Sequence, residues 1–110
     1  MNLEEITLGQ LRTLEGLLGK SEPKHPYEVG QNYIVRTVTM IFTGKLTLVG
    51  DKEIVLEDCA WIAETARWAD SLKTGELNEV EPYPTGKVIV GRGAIIDAAI
   101  WAHELPRAQK

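Results

Sequence analysis

Residues 33–57 read YIVRTVTMIFTGKLTLVGDKEIVLE, and the periodicity of this stretch decides the fold. Tyr33 to Phe42 is dense in β-branched and aromatic side chains, which suit a pleated, half-buried surface, so it reads as one long strand. Alternation puts Ile34, Val38, Met40 and Phe42 on one face and Tyr33, Val35, Thr37 and Thr39 on the other. Arg36 interrupts the first set and is expected at the strand's exposed end. Thr43-Gly44 marks a break or bulge, Lys45 to Val49 a second strand, and Gly50-Asp51-Lys52 a tight turn. Glu53 to Glu57 is a third strand that continues to about Ile62.

Upstream, the period changes from two to that of a helix. Thr7 and Gln10 have capping-box spacing, and Leu8, Leu11, Leu14, Leu17 and Leu18 then recur on one side, ending at Gly19. Gly9 and Gly16 each weaken a helix by up to ~1 kcal/mol relative to alanine, so this helix needs a surface for its leucines. Residues 21–32, with Pro23, Pro26 and Gly30, read as a linker that swings the helix onto a sheet. Residues 1–31 are therefore expected to pack on a barrel formed by 32–110, within one domain.

Downstream, residues 58–73 fit two templates. Trp61, Ile62, Thr65, Trp68, Ala69 and Leu72 form a helical stripe that Gly75 would end, while residues 56–62 also alternate as a strand; strand to about Ile62 and helix over 64–73 is the expectation. Residues 75–86, with Glu76, Glu79, Glu81, Pro82 and Pro84, read as an acidic loop that completes an insertion over about 63–86. Lys87 to Val90 and Ala94 to Trp101 are the final strands, joined through Gly91-Arg92-Gly93. The tail from Ala102 is expected to be loose.

A helix, three meandering strands, an insertion and two short final strands is an order that resembles the Sm-like small barrel. Two places carry the resemblance. Gly44-Lys-Leu46, then Asp51, then Ile54-Val-Leu56, then Cys59 or Ala60 is similar to the first Sm motif, in which a glycine lets the strand bend sharply. Val90-Gly-Arg92-Gly93-Ala-Ile-Ile96 is similar to the second, in which an arginine and a glycine precede a short apolar strand. The resemblance covers about Asn32 to Trp101. It implies an α+β, mostly β, fold: an N-terminal amphipathic helix and a five-stranded Sm-like barrel with a helical insertion between strands 3 and 4. It also implies a ring or other homo-oligomer, because such barrels pair open edge strands between neighbours. The position of the family's base-contacting asparagine falls here at Glu53 or Ile54. The whole chain also looks like small proteins carried by phages and prophages, a likeness that brings no activity with it.

Composition narrows the function classes. With 44% hydrophobic and 25% charged residues, the 110-residue chain has the balance of a globular domain, which excludes disorder. A domain of this size gains stability from association. The net charge of −4 opposes counterion-driven binding to nucleic acid, so single-stranded RNA is the alternative partner rather than the leading one. Cys59 is the one cysteine and has no internal disulfide partner. No apolar run approaches a membrane span, and the first residues lack a signal-peptide pattern, so a cytoplasmic protein without membrane contact is expected.

Nothing reads as catalytic, and no cofactor or metal is expected. His25 and His103 lack further ligands at metal-binding spacing. Cys59 follows Glu57 and Asp58, which raise a thiol pKa, so a buried small hydrophobe is expected there. Gly91-Arg92-Gly93 is the most suggestive trio, because glycines admit a ligand close to the backbone and a guanidinium grips a carboxylate or phosphate. The competing view of it is a turn with a solvated arginine. Trp61, Arg67, Trp68 and Trp101 could form an aromatic and cationic platform, or belong to core or subunit interface. Arg36, Trp61, Arg67, Trp68 and the Gly91-Arg92-Gly93 trio are the expected ligand-binding surface of a self-assembling, non-enzymatic module of phage or prophage type. Its expected ligand is a small anion such as a nucleotide, held between subunits. A structural particle component is the third reading.

Overall fold

Thr37 decides where the first strand stops. In the computed structural model, which describes residues 25–110, its Oγ1 donates to the Met40 carbonyl at 2.8 Å and accepts from the Met40 amide at 2.9 Å. That closes a hairpin turn over residues 38–40 where the alternation predicted uninterrupted strand. Two strands result, β1 (Asn32–Thr37) and β2 (Ile41–Val49), and Val38 is left 70% exposed at the tip. Periodicity missed the turn because Val38 and Met40 are apolar; the hydroxyl of Thr37 offers the backbone a local alternative to the ladder.

Beyond the tight turn at Gly50, whose amide bonds the Glu53 carbonyl at 2.7 Å, β3 (Glu53–Thr65) runs for 13 residues. Helix α1 (Trp68–Thr74) follows, then β4 (Leu77–Pro82), β5 (Lys87–Gly91), a 3-10 turn at Arg92–Ala94, and β6 (Ile95–Ile100). The sheet is antiparallel with order β4-β3-β2-β1-β6, and β5 pairs with β3. The mostly β fold with one helix between the third strand and the later strands is as expected. The strand count is not: the described residues hold six strands rather than five. The extra one, β4, lies in the stretch expected to be an acidic loop. Its glutamates face outward while Leu77 and Val80 are buried, which offers too few apolar positions for an alternation to be visible. The helix expected over 7–18 lies outside the described residues.

One edge of β3 pairs with β2, and its other edge serves two partners because the sheet folds along a line through its middle. Glu53 to Glu57 pair with β5, and Ala60 to Thr65 pair with β4. Between them Asp58 adopts a positive φ of 50°, and across from it the β2–β3 register shifts between Thr43 and Lys45. Gly44 sits at that shift, where an added Cβ would lie 2.9 Å from Leu56 Cβ and 3.3 Å from the Glu57 carbonyl oxygen. A bulge bends its strand and increases the twist. The bend expected at Gly44 is therefore present, within β2 rather than between two strands.

The bend leaves apolar clusters on both faces of β1. Tyr33 and Val35 pack with Phe42, Leu46, Ile54, Leu56, Cys59 and Val90 inside the curl. Ile34, from the opposite face, packs with Ala60, Ile62, Leu77, Val80, Trp101 and Leu105 beneath α1 and the C-terminal tail. The tail is not loose. Its Lys110 exchanges both backbone hydrogen bonds with Val80 of β4, Leu105 is buried, and His103 Nε2 donates to the Leu72 carbonyl at 2.8 Å. Too few apolar residues mark the tail in sequence for this docking to be legible. No described helix is long and apolar enough to cross a membrane.

Candidate functional site

The 3-10 turn brings Arg92 back over the β2–β3 turn. Its amide bonds the Lys52 carbonyl at 2.8 Å, and Nη1 donates to the Gly50 carbonyl at 2.7 Å. The guanidinium carbon lies 5.8 Å from the Tyr27 ring centroid, within cation–π range. Tyr27 in turn meets Tyr33 edge-on at 5.9 Å, and the Tyr33 hydroxyl accepts the Glu28 amide at 2.8 Å. Arg92 is thus a half-buried clamp, unlike the solvated turn arginine of the competing view.

These groups rim an open groove of about 710 Å³ along β6. Its polar wall is formed by Arg92, Asp51, Glu28 and Asp97, and its apolar wall by Tyr27, Tyr33 and β6. Gly93 lines it as well. Neither Gly91 nor Gly93 has a positive φ, and a Cβ at either would meet nothing within 4 Å, so packing demands neither glycine.

Arg36 emerges at the end of β1, as expected. Its Nε donates to Asp97 Oδ1 at 2.8 Å, Nη2 bonds Oδ2, and the guanidinium lies 4.2 Å from the Trp68 ring centroid. The hydrogen bonds from Arg36 hold the Asp97 carboxyl below its usual pKa. Arg36 and Trp68 are therefore brought together, with Asp97 linking them to the rim of the groove.

Trp61 and Arg67 do not join them. Trp61 is the cross-strand partner of Phe42 and Glu81, on the face of β3 opposite Ile62, whereas Trp68 packs with the cluster containing Ile62. Trp101 is 2% exposed and belongs to the core, its Nε1 donating to the Glu104 carbonyl at 3.1 Å. Arg67 is exposed at the N-terminal boundary of α1 and makes no capping hydrogen bond. The single platform of tryptophan and arginine expected from sequence is divided between two faces. Cys59 is 2% exposed, and burial pushes its thiol up to about 12, which leaves no thiolate at neutral pH. Among the described residues no group of three or more His, Cys, Asp or Glu side chains is placed to hold a metal.

Sequence reasoning missed Tyr27, Tyr33, Glu28, Asp51 and Asp97 as parts of the groove. Asp97 carried a signal, being the lone charge within an otherwise apolar final strand. Tyr27 carried none, since it lies in a proline-bearing segment that reads as a linker.

No family model matches the chain, and no curated protein matches it. Among solved structures it is similar to a heptameric archaeal Sm protein, at 16% identity and a TM-score of 0.46, over 66% of this chain and 87% of that one.

Proposed function

We propose that the protein is a non-enzymatic, self-assembling binding module whose subunits join edge to edge in a closed ring and hold a small ligand in the groove along β6. The observation that carries this reading is a pair of open edges. Among the described residues, β5 pairs only with β3 and β6 only with β1, and each presents an unpaired backbone edge. Ile89 on β5 and Ile96 on β6 are 70% and 65% exposed. An open edge with large apolar side chains is a template for another strand, and joining β5 of one copy to β6 of the next covers both. Repetition of one such head-to-tail contact closes a ring when the rotation per copy divides a full turn.

The ligand reading rests on the groove. Arg92 and Tyr27 supply a cation and a ring face, which suit a planar molecule with a negative group. Glu28, Asp51 and Asp97 share the wall and repel polyanions, so one anionic group fits better than a phosphate chain. The same carboxylates weigh against RNA, the alternative occupant of such a ring.

Native mass spectrometry on gently purified protein, followed by denaturation of the same sample, tests both parts. A defined oligomer that releases small-molecule mass per subunit, lost in Tyr27→Ala, is the expected result. An oligomer that carries no ligand and binds RNA columns at low salt would turn the assignment to RNA. Large tubes or rings indifferent to Arg92→Ala would turn it to a particle component of phage type. A 12 kDa monomer at micromolar concentration would sink the proposal.

A further inference from the structure

β4 ends the sheet, with β3 on its inner side, and its outer edge is not empty. Val80 turns its N–H and C=O away from β3, and Lys110 meets both, at 3.0 and 2.9 Å. Two hydrogen bonds exchanged between the same two residues are the mark of an antiparallel pair, so the tail is a strand of one rung on β4. The next rung would fall at Pro82, which has no N–H to give.

This strand is lightly held. Among the described residues, 106–109 make no backbone hydrogen bond to β4, and a cavity of about 380 Å³ opens between them and Gly75, Leu77 and Val80. The ion pair from Arg107 to Asp58 spans 3.4 Å between exposed side chains, a kind that contributes little. Leu105 is the buried anchor. A segment fastened at so few points opens at low free energy.

Charge selects what fits the edge when the tail lifts. Residues 75–86 hold Glu76, Glu79 and Glu81 and no cation, whereas residues 105–110 hold Arg107 and Lys110 and no acid. A second β4 laid antiparallel about Val80 would set Glu79 of each copy opposite Glu81 of the other, and like charges directly opposite are destabilising. A basic extended segment, with an apolar residue five positions before its cation, meets no such opposition. The tail of a second copy has that chemistry. Closed and exchanged forms use the same contacts, so exchange costs little.

We propose that the outer edge of β4 is a docking site for a basic extended segment, closed in the single chain by residues 105–110 and taken, when these lift, by the same residues of a second copy. The contact uses neither β5 nor β6 and is independent of edge-to-edge assembly.

Hydrogen exchange on the full chain tests the site. Leu105→Asp, which releases the anchor, should speed exchange of the Val80 amide roughly tenfold or more while Ile54 and Leu56 keep their protection. If it loses those as well it has failed to fold, and the double variant Arg107→Glu, Lys110→Glu decides. A synthetic peptide of residues 104–110 in excess should restore protection at Val80, and the same peptide with glutamate at both cationic positions should not. Exchange between copies is read by mixing a Glu81→Cys chain with a Gln109→Cys chain under a short bismaleimide; the buried Cys59 stays unlabelled. Bridges joining the two chains are expected, and adding Ile96→Lys to both should leave their yield unchanged. Val80 protection indifferent to both release variants, no rescue by the peptide, equal rescue by its acidic form, no bridge between chains, or bridges abolished by Ile96→Lys would each overturn the proposal.

Discussion

A methyl group at position 44 would collide with Leu56 Cβ and crowd the Glu57 carbonyl, which is backbone and cannot turn aside. Gly44→Ala is therefore expected to destabilise the fold by about 2 kcal/mol, the usual scale of overpacking, read as a lower urea midpoint at unchanged slope. Cys59 makes a prediction of the opposite kind, one of silence. With burial raising its pKa to about 12, it should resist thiol reagents in the folded protein and react once unfolded. Its folded pKa exceeds the ordinary thiol value, so its stabilising contribution is complete below about pH 8.5 and is lost as pH rises toward 12. The loss is at most ~1.4 kcal/mol per pH unit, and Cys59→Ala should remove that share of the alkaline slope in a urea series. Both residues were legible in sequence, Gly44 as the point of a bend and Cys59 as a small buried side chain. Arg92 was legible as a residue of interest but not as a clamp, because its partners are the backbone carbonyls of a turn about forty residues away.

Elements here are ended by side chains that reach the backbone. The hydroxyl of Thr37 closes the β1–β2 turn with two bonds to Met40, so Thr37→Val, which keeps the shape and removes the oxygen, should cost about 1–2 kcal/mol. Its signature is faster hydrogen exchange confined to residues 36–42. His103 ends α1 differently: its Nε2 satisfies the Leu72 carbonyl, while its ring packs where a Cβ on Gly75 would stand, 2.8 Å from Cγ. Gly75 takes a φ of 82°, open to glycine and strained for other residues. His103→Ala should lower stability by about 1 kcal/mol and loosen α1 and the tail together, seen as earlier proteolysis after Arg107. The helix end at Gly75 was legible; its lid was not, since a histidine nearly thirty residues later gives no local sign of where it lands.

At the scale of the whole molecule, edges and faces decide behaviour. If β5 and β6 join between copies, a charge at the open edge should separate them. Ile96→Lys is expected to move the protein from oligomer to monomer in sedimentation velocity while its far-ultraviolet dichroism stays the same, since lysine on an edge strand opposes strand addition. The insertion has its own role at this scale. α1, β4 and the tail cover the outer face of β1 and β3, so the sheet is sandwiched on that side where a bare small barrel would meet solvent.

What the sequence determined by itself is what depends on near neighbours: alternation from Tyr33 to Val35, the turn at Gly50, the bend at Gly44, the two short final strands and the order in which these elements come. Each follows from backbone preference or local spacing, and each is present in the fold. Tertiary structure alone decided what rests on distant partners. It split the first strand at Thr37, made a strand of an acidic stretch by laying it beside β3, pinned the tail by Lys110 and His103, and parted Trp61 from Trp68. It also gathered Tyr27, Tyr33, Asp51, Arg92 and Asp97 around one groove. Strand pairing and packing bring together residues far apart in the chain, and no local pattern carries that information.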